Sequence, residues 1–328
     1  MRLTATAIAT TLAAGLLATV AMAQSVTKHI AVPDGGWDYV SFDAVSNRVF
    51  IGRSDGVMTI DAATGKVTPQ LVAITRTHAA LTLGTTGLGA VTSNTAGGAM
   101  IFDATTGAVK ATLKTGPKPD AAIWDEASKT LLVMDNRDGS VTMIDPVAAK
   151  VTGTVAVGGA LESAAVDGRG VLYVAVEDKS EIGAVDLKTK AVRHFKLANC
   201  EEPGGLTLTK AGVLIVACAN KVAKAVDAKT GAAIADLPLG IGPDSAFYDA
   251  KRDRAYIPTG RDGMLTVIDT LARTPRVIAT VPTGVGARTG AVDPATGTVY
   301  VIAAKYLPAA AGERPKMVPG TAEVLAVN

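Results

Sequence analysis

Aromatic residues are scarce in this chain of 328 residues: Phe, Trp and Tyr together make up 4% of it. An excess of one charge is also lacking, because 32 Lys and Arg residues stand against 30 Asp and Glu residues, a net charge of +2. This balance argues against bulk nucleic-acid binding, which favours an excess of Lys and Arg. Glycine, in contrast, is abundant at 34 residues, and 48% of the chain is hydrophobic. Small aliphatic strands joined by many tight turns fit this composition.

Motifs that carry metal or cofactor chemistry are missing as well. The chain has two cysteines, Cys200 and Cys218, and it contains no C-x-x-C, C-x-x-C-H, P-loop or zincin signature. A zinc ribbon, a covalently attached haem and a P-loop nucleotide site therefore have no support in the sequence.

One long apolar run lies near the N-terminus, at residues 5–20. It follows the positive charge of Arg2 and precedes an A-x-A cleavage signal at residues 21–23. The run is short for a membrane span. We therefore predict that residues 1–23 are a secretory signal peptide, and that the protein is periplasmic or secreted with no membrane span after cleavage. An uncleaved anchor is the alternative.

A repeat runs through the rest of the chain. Short β-branched runs end in an aspartate, and successive aspartates are 42, 42, 41, 41 and 42 residues apart. These residues are Asp61, Asp103, Asp145, Asp186, Asp227 and Asp269. Several copies continue into an Asp-x-x-Thr-Gly segment, which suits a tight hairpin turn with glycine at positive φ. Four short strands in such a period are typical of a β-propeller blade.

Residues 24–328 hold a little over seven periods, so we predict a single all-β domain, a seven-bladed β-propeller with four-stranded antiparallel blades. The last repeat stops at Asn328 without an outer strand, whereas the run at residues 26–32 provides one. We expect this N-terminal strand to pair with the last blade and close the ring.

The third repeat shows the motif most clearly, as P-x-A-A-I from Pro119, L-V-M-D-N at Leu132–Asn136 and V-T-M-I-D at Val141–Asp145. These segments resemble the YVTN-type β-propeller repeat, and the resemblance covers residues 24–328. It implies the propeller fold and an exported protein of bacterial type. Because relatives include binding and surface proteins as well as propeller domains of redox enzymes, it implies no single function. The sixth repeat departs from the motif with Ile257-Pro258-Thr259.

Alignment of the repeats places one residue per blade beside the mouth of the central channel. We call the face reached by the loops that enter the innermost strands the top face. The seven positions form the mouth ring: Asp38, His78, Asp120, Glu162, Gly204, Asp244 and Arg288. Loops after the second strands reach the same face and carry Arg53, Asn136, Arg137, Arg261, Lys305 and Tyr306. We expect these side chains, together with those of the ring, to bind a ligand.

Carboxylates and an imidazole that converge on one opening support several hypotheses. The metal-ligand candidates are His78, Asp120, Glu162 and Asp244. Their oxygens suit Ca²⁺, Mg²⁺ or Mn²⁺, and the imidazole allows Zn²⁺. Close carboxylates also raise one another's pKa and can act as general acid and base, with Arg288 holding an anionic substrate. A solvated channel mouth with no specific role is the remaining alternative.

The sequence thus predicts a monomeric binding module that recognises a small molecule or a protein partner at the top face. A metal-assisted, lactonase-like hydrolase is the alternative, and an electron-transfer propeller has less support because attachment motifs are missing.

The last repeat also carries a long insertion, residues 305–321, of the kind that often forms a lid. Its basic residues, Lys305, Arg314 and Lys316, are expected to lie over the acidic mouth.

Both cysteines belong to the fifth repeat. Cys200 lies in the loop before its first strand, and Cys218 lies near the end of its second strand. Both therefore fall on the same face of one blade, and we predict a disulfide between them, which fits an exported protein. Two buried thiols are the alternative.

Overall fold

A computed structural model describes residues 24–308 and 315–328. The predicted signal peptide, residues 1–23, and Arg314 of the long insertion lie outside the described residues. The described residues form 28 strands in seven four-stranded antiparallel sheets, which confirms the predicted seven-bladed propeller. Apart from the strands there is one turn of 3₁₀ helix, Glu177–Lys179. None of the helical structure in this part of the chain is long and apolar enough to cross a membrane.

The strands follow one another blade by blade. Blade 1 contains β2 (Trp37–Asp43), β3 (Arg48–Arg53), β4 (Gly56–Asp61) and β5 (Val67–Ala73). Blade 2 contains β6 (Thr77–Thr82), β7 (Leu88–Ser93), β8 (Gly98–Asp103) and β9 (Val109–Lys114). Blade 3 contains β10 (Pro119–Asp125), β11 (Thr130–Asp135), β12 (Ser140–Asp145) and β13 (Lys150–Ala156). Blade 4 contains β14 (Leu161–Val166), β15 (Val171–Val176), β16 (Glu181–Asp186) and β17 (Val192–Lys196).

The remaining blades follow the same order. Blade 5 contains β18 (Pro203–Leu208), β19 (Val213–Cys218), β20 (Val222–Asp227) and β21 (Ala233–Pro238). Blade 6 contains β22 (Phe247–Asp249), β23 (Arg254–Thr259), β24 (Met264–Asp269) and β25 (Arg276–Pro282). Blade 7 contains β26 (Gly290–Val292), β27 (Val299–Ala303), β28 (Glu323–Val327) and, as its outer strand, β1 (Val26–Ala31).

Ring closure takes place in blade 7, as predicted. Strand β1 pairs antiparallel with β28, with His29 opposite Leu325. Ser25 and Asn328 extend the pairing through two reciprocal backbone hydrogen bonds of 3.0 and 3.1 Å. The two ends of the described chain therefore hold the circle together, and β1 covers the outer edge that β28 would otherwise leave open.

The core consists of seven apolar clusters, each packed between two neighbouring blades. Strand β3 shows how alternation builds them. Val49 and Ile51 pack toward blade 7, whereas Phe50 between them packs toward blade 2. Because side chains alternate between the two faces of a strand, a middle strand buried on both faces is apolar at successive positions along its centre.

Turns at the bottom of several blades follow the Asp-x-x-Thr-Gly pattern. In blade 1, the backbone N–H and the hydroxyl of Thr64 both donate to Asp61 Oδ1, at 2.7 and 2.8 Å. Gly65 then takes a φ of 75°, and its N–H donates to the carbonyl of Asp61 at 2.8 Å. This confirms the predicted turn and its left-handed glycine.

Blade 5 contains the predicted disulfide. Cys200 and Cys218 are bonded, with their Cα atoms 5.2 Å apart. The bond ties the loop that enters β18 to the end of β19, and both cysteines are buried.

The innermost strands pack tightly at this blade, since a Cβ built on Gly205 would lie 2.4 Å from the backbone of Ser245. A side chain therefore has no room at Gly205.

Candidate binding site at the mouth of the channel

The mouth-ring residues stand where the pairing of the inner strands is irregular. In blades 1 to 5 the register between the first two strands shifts next to the ring position, as between Trp37 and Val40 or between Thr77 and Ala80. In blades 6 and 7 the ring residue precedes the innermost strand. A bulge turns a side chain away from its regular direction, so these irregularities direct the ring residues toward the mouth.

His78 lies between two carboxylates. Its Nδ1 donates to Oδ2 of Asp38 at 2.7 Å and lies 3.5 Å from Oδ1 of Asp120. On the other side of the ring, Nδ2 of Asn94 lies 2.9 Å from Nε2. A neutral imidazole with its proton on Nδ1 satisfies all of these contacts.

Arg288 lies between the ring residues Asp244 of blade 6 and Asp38 of blade 1. Its Nε donates to Oδ2 of Asp244 at 2.7 Å, and its terminal nitrogen donates to the carbonyl of Trp37 at 2.7 Å. The same nitrogen lies 3.7 Å from Oδ1 of Asp38. Arg288 therefore links blades 6, 7 and 1, and it compensates the charge of the two neighbouring aspartates.

Glu162 is held by a different set of partners. Asn136 donates from Nδ2 to Oε1 of Glu162 at 2.8 Å and to the carbonyl of Leu161 at 3.0 Å. Lys118 donates in turn to Oδ1 of Asn136 at 2.7 Å. Asn136 is buried, so it acts as a positioning residue for Glu162 more than as an exposed ligand contact.

Tyr39 is a functional candidate that sequence reasoning missed. It follows Asp38 in blade 1, and its hydroxyl reaches Oε2 of Glu162 in blade 4 at 3.5 Å. The side chain therefore spans the channel beneath the mouth, above a cavity of about 250 Å³ that it also lines. The signal was present in the sequence: the equivalent positions in blades 2 to 6 are Ala79, Ala121, Ser163, Gly205 and Ser245.

Burial changes the acidity of the mouth. It raises the pKa of Glu162 to about 9, and the nearby charges of Asp120, Glu177 and Asp244 add to the shift while Lys118 opposes it. Burial likewise raises the pKa of Asp120 to about 6, although His78 opposes the rise. Burial alone would lower the pKa of His78, but the hydrogen bond with Asp38 and the charge of Asp120 outweigh it and raise the pKa.

A possible metal-ligand cluster differs from the predicted set. Ligand atoms of Asp38, His78 and Asp120 all lie within 4.8 Å of one another. Glu162 and Asp244, which the sequence placed in the set, are bound to Asn136 and Arg288 instead. In the hydrogen-bonded arrangement Nδ1 of His78 carries a proton, so a cation would have to displace it.

Arg53 does not lie where the sequence analysis expected it. The side chain is buried and donates to the carbonyls of Pro33 and Asp34, at 2.8 and 2.7 Å, and to Asp55 at 3.1 Å. The two carbonyl contacts hold the loop between β1 and β2 against blade 1, and the contact with Asp55 lies within that blade. Arg53 is thus a structural residue, and sequence reasoning failed because burial of an arginine requires backbone acceptors that only the folded loop provides.

The long insertion reaches the mouth through Tyr306, a predicted site residue, and not through the lysines that were expected to lie over the mouth. Tyr306 pairs with Met317 across the insertion, and Tyr306 and Pro315 line a cavity of about 630 Å³ together with Asp244 and Arg288. Among the described residues of this wall, the insertion contributes these two side chains and neither Lys305 nor Lys316. Arg261, a predicted site residue, lines the same cavity.

Charge on the top face is separated into two sectors. A cavity of about 770 Å³ over blades 1 to 3 is lined by Arg76, Lys114, Lys118 and the predicted Arg137. A smaller cavity of about 250 Å³ over blades 4 to 6 is lined by Glu162, Glu177, Glu202 and Asp244, with Arg261 at its edge. The sequence analysis missed Arg76, Lys118 and Glu202 because they stand two residues before the ring positions, where the alignment showed no shared residue type.

Known proteins share the fold of this chain without close sequence similarity. No family model matches the chain, and no curated protein matches its sequence. A chain of the "Crystal Structure of Mitotic Checkpoint Complex" is similar at a TM-score of 0.75 and 13% identity, over 92% of this chain and 96% of that one.

Two further solved structures are also similar in fold at low sequence identity. A chain of "Kuenenia stuttgartiensis Hydrazine Synthase" is similar at a TM-score of 0.72 and 16% identity, over 88% of this chain and 96% of that one. "Structure of U3-55K" is similar at 0.75 and 10% identity, over 93% of this chain and 98% of that one. At these identities the likeness concerns the propeller architecture alone.

Proposed function

We propose that this protein is an exported, monomeric member of the YVTN-type propeller family that acts as a binding module. Its ligand, a small molecule or a segment of a protein partner, binds at the mouth of the channel on the top face. One observation carries the proposal. Six charged or ionisable side chains from six blades converge on one opening, held by hydrogen bonds or ion-pair contacts, beside cavities of about 770 and 630 Å³. Convergent polar groups beside a concave surface are typical of ligand sites.

The internal pairing of the mouth favours binding over turnover. Asp38 and Asp244 are each held by a cationic or imidazole partner, and Glu162 is held by Asn136. A ring pre-ordered by its own contacts recognises a ligand at low entropic cost. The rigid inner strands hold these side chains in place without the help of a mobile loop.

The test is a thermal-shift screen of the purified protein against small metabolites, followed by calorimetric titration of the compounds that raise the melting temperature. We expect His78→Ala to weaken binding of such a compound at least tenfold, because it removes the imidazole that contacts both Asp38 and Asp120. His194→Ala is the matched control, since His194 also contacts a carboxylate, Glu181 at 3.1 Å, but lies on outer strand β17. Equal affinities in all three proteins would contradict the proposal.

The cluster of Asp38, His78 and Asp120 favours a second candidate, a metal-assisted hydrolase. In this role the three side chains bind one divalent cation, and Arg288 orients an anionic substrate. Elemental analysis of protein purified without a histidine tag should then show one equivalent of metal, which Asp120→Asn removes and Asp138→Asn retains. No bound metal, and no change of melting temperature with Zn²⁺, Mn²⁺, Mg²⁺ or Ca²⁺, would exclude the candidate.

A further inference from the structure

The cavity of about 770 Å³ beside His78 carries an excess of positive charge. Its cationic wall residues are Arg76, Lys114, Lys118 and Arg137. Asp38 is the one carboxylate among the described residues of the wall, and it is already in contact with His78 and Arg288. The positive charges are therefore not balanced within the cavity.

Among the described residues, these four cations are not paired with a carboxylate, although they stand close together around one cavity. In the part of the chain that the structure describes, none of the four has a carboxylate oxygen within 4.0 Å. Some cations elsewhere have such partners, as in Lys210 with Asp253 at 2.9 Å and Arg252 with Asp249 at 2.7 Å. Other unpaired cations of the described chain, such as Lys150, do not line this cavity, and it is the clustering of the four around one opening that distinguishes them. Like charges gathered around one opening repel each other, so an anion bound between them would be stabilised.

Two of the cations are held in a backbone conformation that favours glycine. Arg76 and Lys118 stand two residues before the ring positions of blades 2 and 3, with φ of 53° and 56°. Blades 6 and 7 have Gly242 and Gly286 at the same position, with φ of 74° and 89°. A left-handed conformation costs a residue with a side chain about 1 kcal/mol. The backbone conformation at these positions therefore favours glycine, and it does not explain why Arg76 and Lys118 stand there.

We propose that this cavity binds a small molecule that carries at least two carboxylate or phosphate groups. The inference rests on the proposed function and names the ligand class of that same site. Arginine and lysine are the residues that bind such oxyanions, and the volume lies within the range of small-molecule sites. The acidic sector across the mouth, with Glu177 and Glu202, repels the anionic groups and so confines them to blades 1 to 3.

Calorimetric titration with inorganic pyrophosphate and with citrate, at constant ionic strength, tests the proposal. We expect at least one of them to bind with one-to-one stoichiometry. Lys114→Glu combined with Arg137→Glu should weaken that binding at least tenfold; both residues are exposed, so the change should leave the fold intact. Lys150→Glu combined with Lys188→Glu is the control, because it changes the net charge equally at exposed positions away from the cavity.

The outcomes separate the possible ligands and the two proposals. Binding of pyrophosphate alone identifies a phosphate ligand, and binding of citrate alone identifies a polycarboxylate. No binding of either probe, or an equal loss of affinity in the two double variants, would overturn the anion proposal. If both probes fail while an uncharged or cationic compound binds in a manner that depends on His78, the binding module stands and only the ligand class is wrong.

Discussion

Glu162 shows how the fold changes the chemistry of a single side chain. The residue stands at the mouth ring among Asp120, Glu177 and Asp244, and burial together with these charges raises its pKa to about 9. Its carboxyl group is therefore protonated at neutral pH, so it adds no negative charge to the mouth. The sequence showed that an acid stands at this position, but the number of charged neighbours depends on how blades 3, 4 and 6 meet.

The raised pKa predicts a stability that falls with pH. Between the ordinary value of 4.5 and the folded value of about 9, the folded state holds a proton that the unfolded state has lost. The free energy of unfolding therefore decreases as pH rises through this window. Glu162→Gln removes the effect, and we expect it to stabilise the protein by on the order of 4 kcal/mol at pH 8 and by about 1 kcal/mol at pH 5.

Urea denaturation at the two pH values measures this difference. Glu201→Gln serves as the control, because Glu201 is exposed and lies outside the mouth. If the Glu162 variant shows the same change in stability from pH 5 to pH 8 as wild type, the raised pKa is wrong.

At the scale of single elements, blade 5 differs from the others. Its ring position is Gly204, so the blade contributes no side chain to the mouth ring, and the disulfide fixes the loop just before it. The spacing of the two cysteines within one repeat was enough to predict this bond. The turns were equally predictable, because Asp61, Thr64 and Gly65 interact within five residues. Contacts this local depend little on the rest of the molecule.

Replacement of both Cys200 and Cys218 by alanine should lower stability by roughly 3 kcal/mol, since the bond closes a short loop in the unfolded chain. Thermal unfolding in the presence and absence of reductant is the measurement. We expect the reductant to lower the melting temperature of wild type and to leave that of the double variant unchanged. A wild-type melting temperature that does not respond to complete reduction would count against a structural role for the bond.

At the scale of the whole molecule, closure of the ring is the feature on which the other contacts depend. Strand β1 joins residues almost 300 positions apart in sequence, such as His29 and Leu325. Ile30 is buried between blades 7 and 1 and packs with the cluster that contains Trp37 and Tyr300. Loss of this contact weakens one interface and so opens the circle at that point.

Ile30→Ala should therefore cost about 2–4 kcal/mol of stability, the range for a large-to-small change in a core. Ile278→Ala is the matched control, because Ile278 lies on the outer strand of blade 6 and is 44% exposed; we expect its cost to be under about 1 kcal/mol. Denaturant titration gives the two values, and proteolysis should release the N-terminal strand faster in the first variant. Equal losses of stability in the two variants would show that burial of Ile30 at the closing interface does not stabilise the ring.

The sequence by itself determined the number of blades, their strands, the closing strand and the disulfide. Each of these depends on periodicity or on local chemistry, which repeat visibly along the chain. It also placed Asp38, His78 and Asp120 at the mouth, because equivalent positions of a repeat meet at one place in the ring.

The tertiary structure decided which mouth residues contact one another and which charges remain unbalanced. It showed Arg53 to be buried against loop carbonyls, Tyr39 to span the channel, and the cations of blades 2 and 3 to line one cavity. These facts depend on side-chain directions and on distances across the ring. Seven similar repeats share one pattern in sequence, but only their closure into a circle brings residues of distant blades into contact.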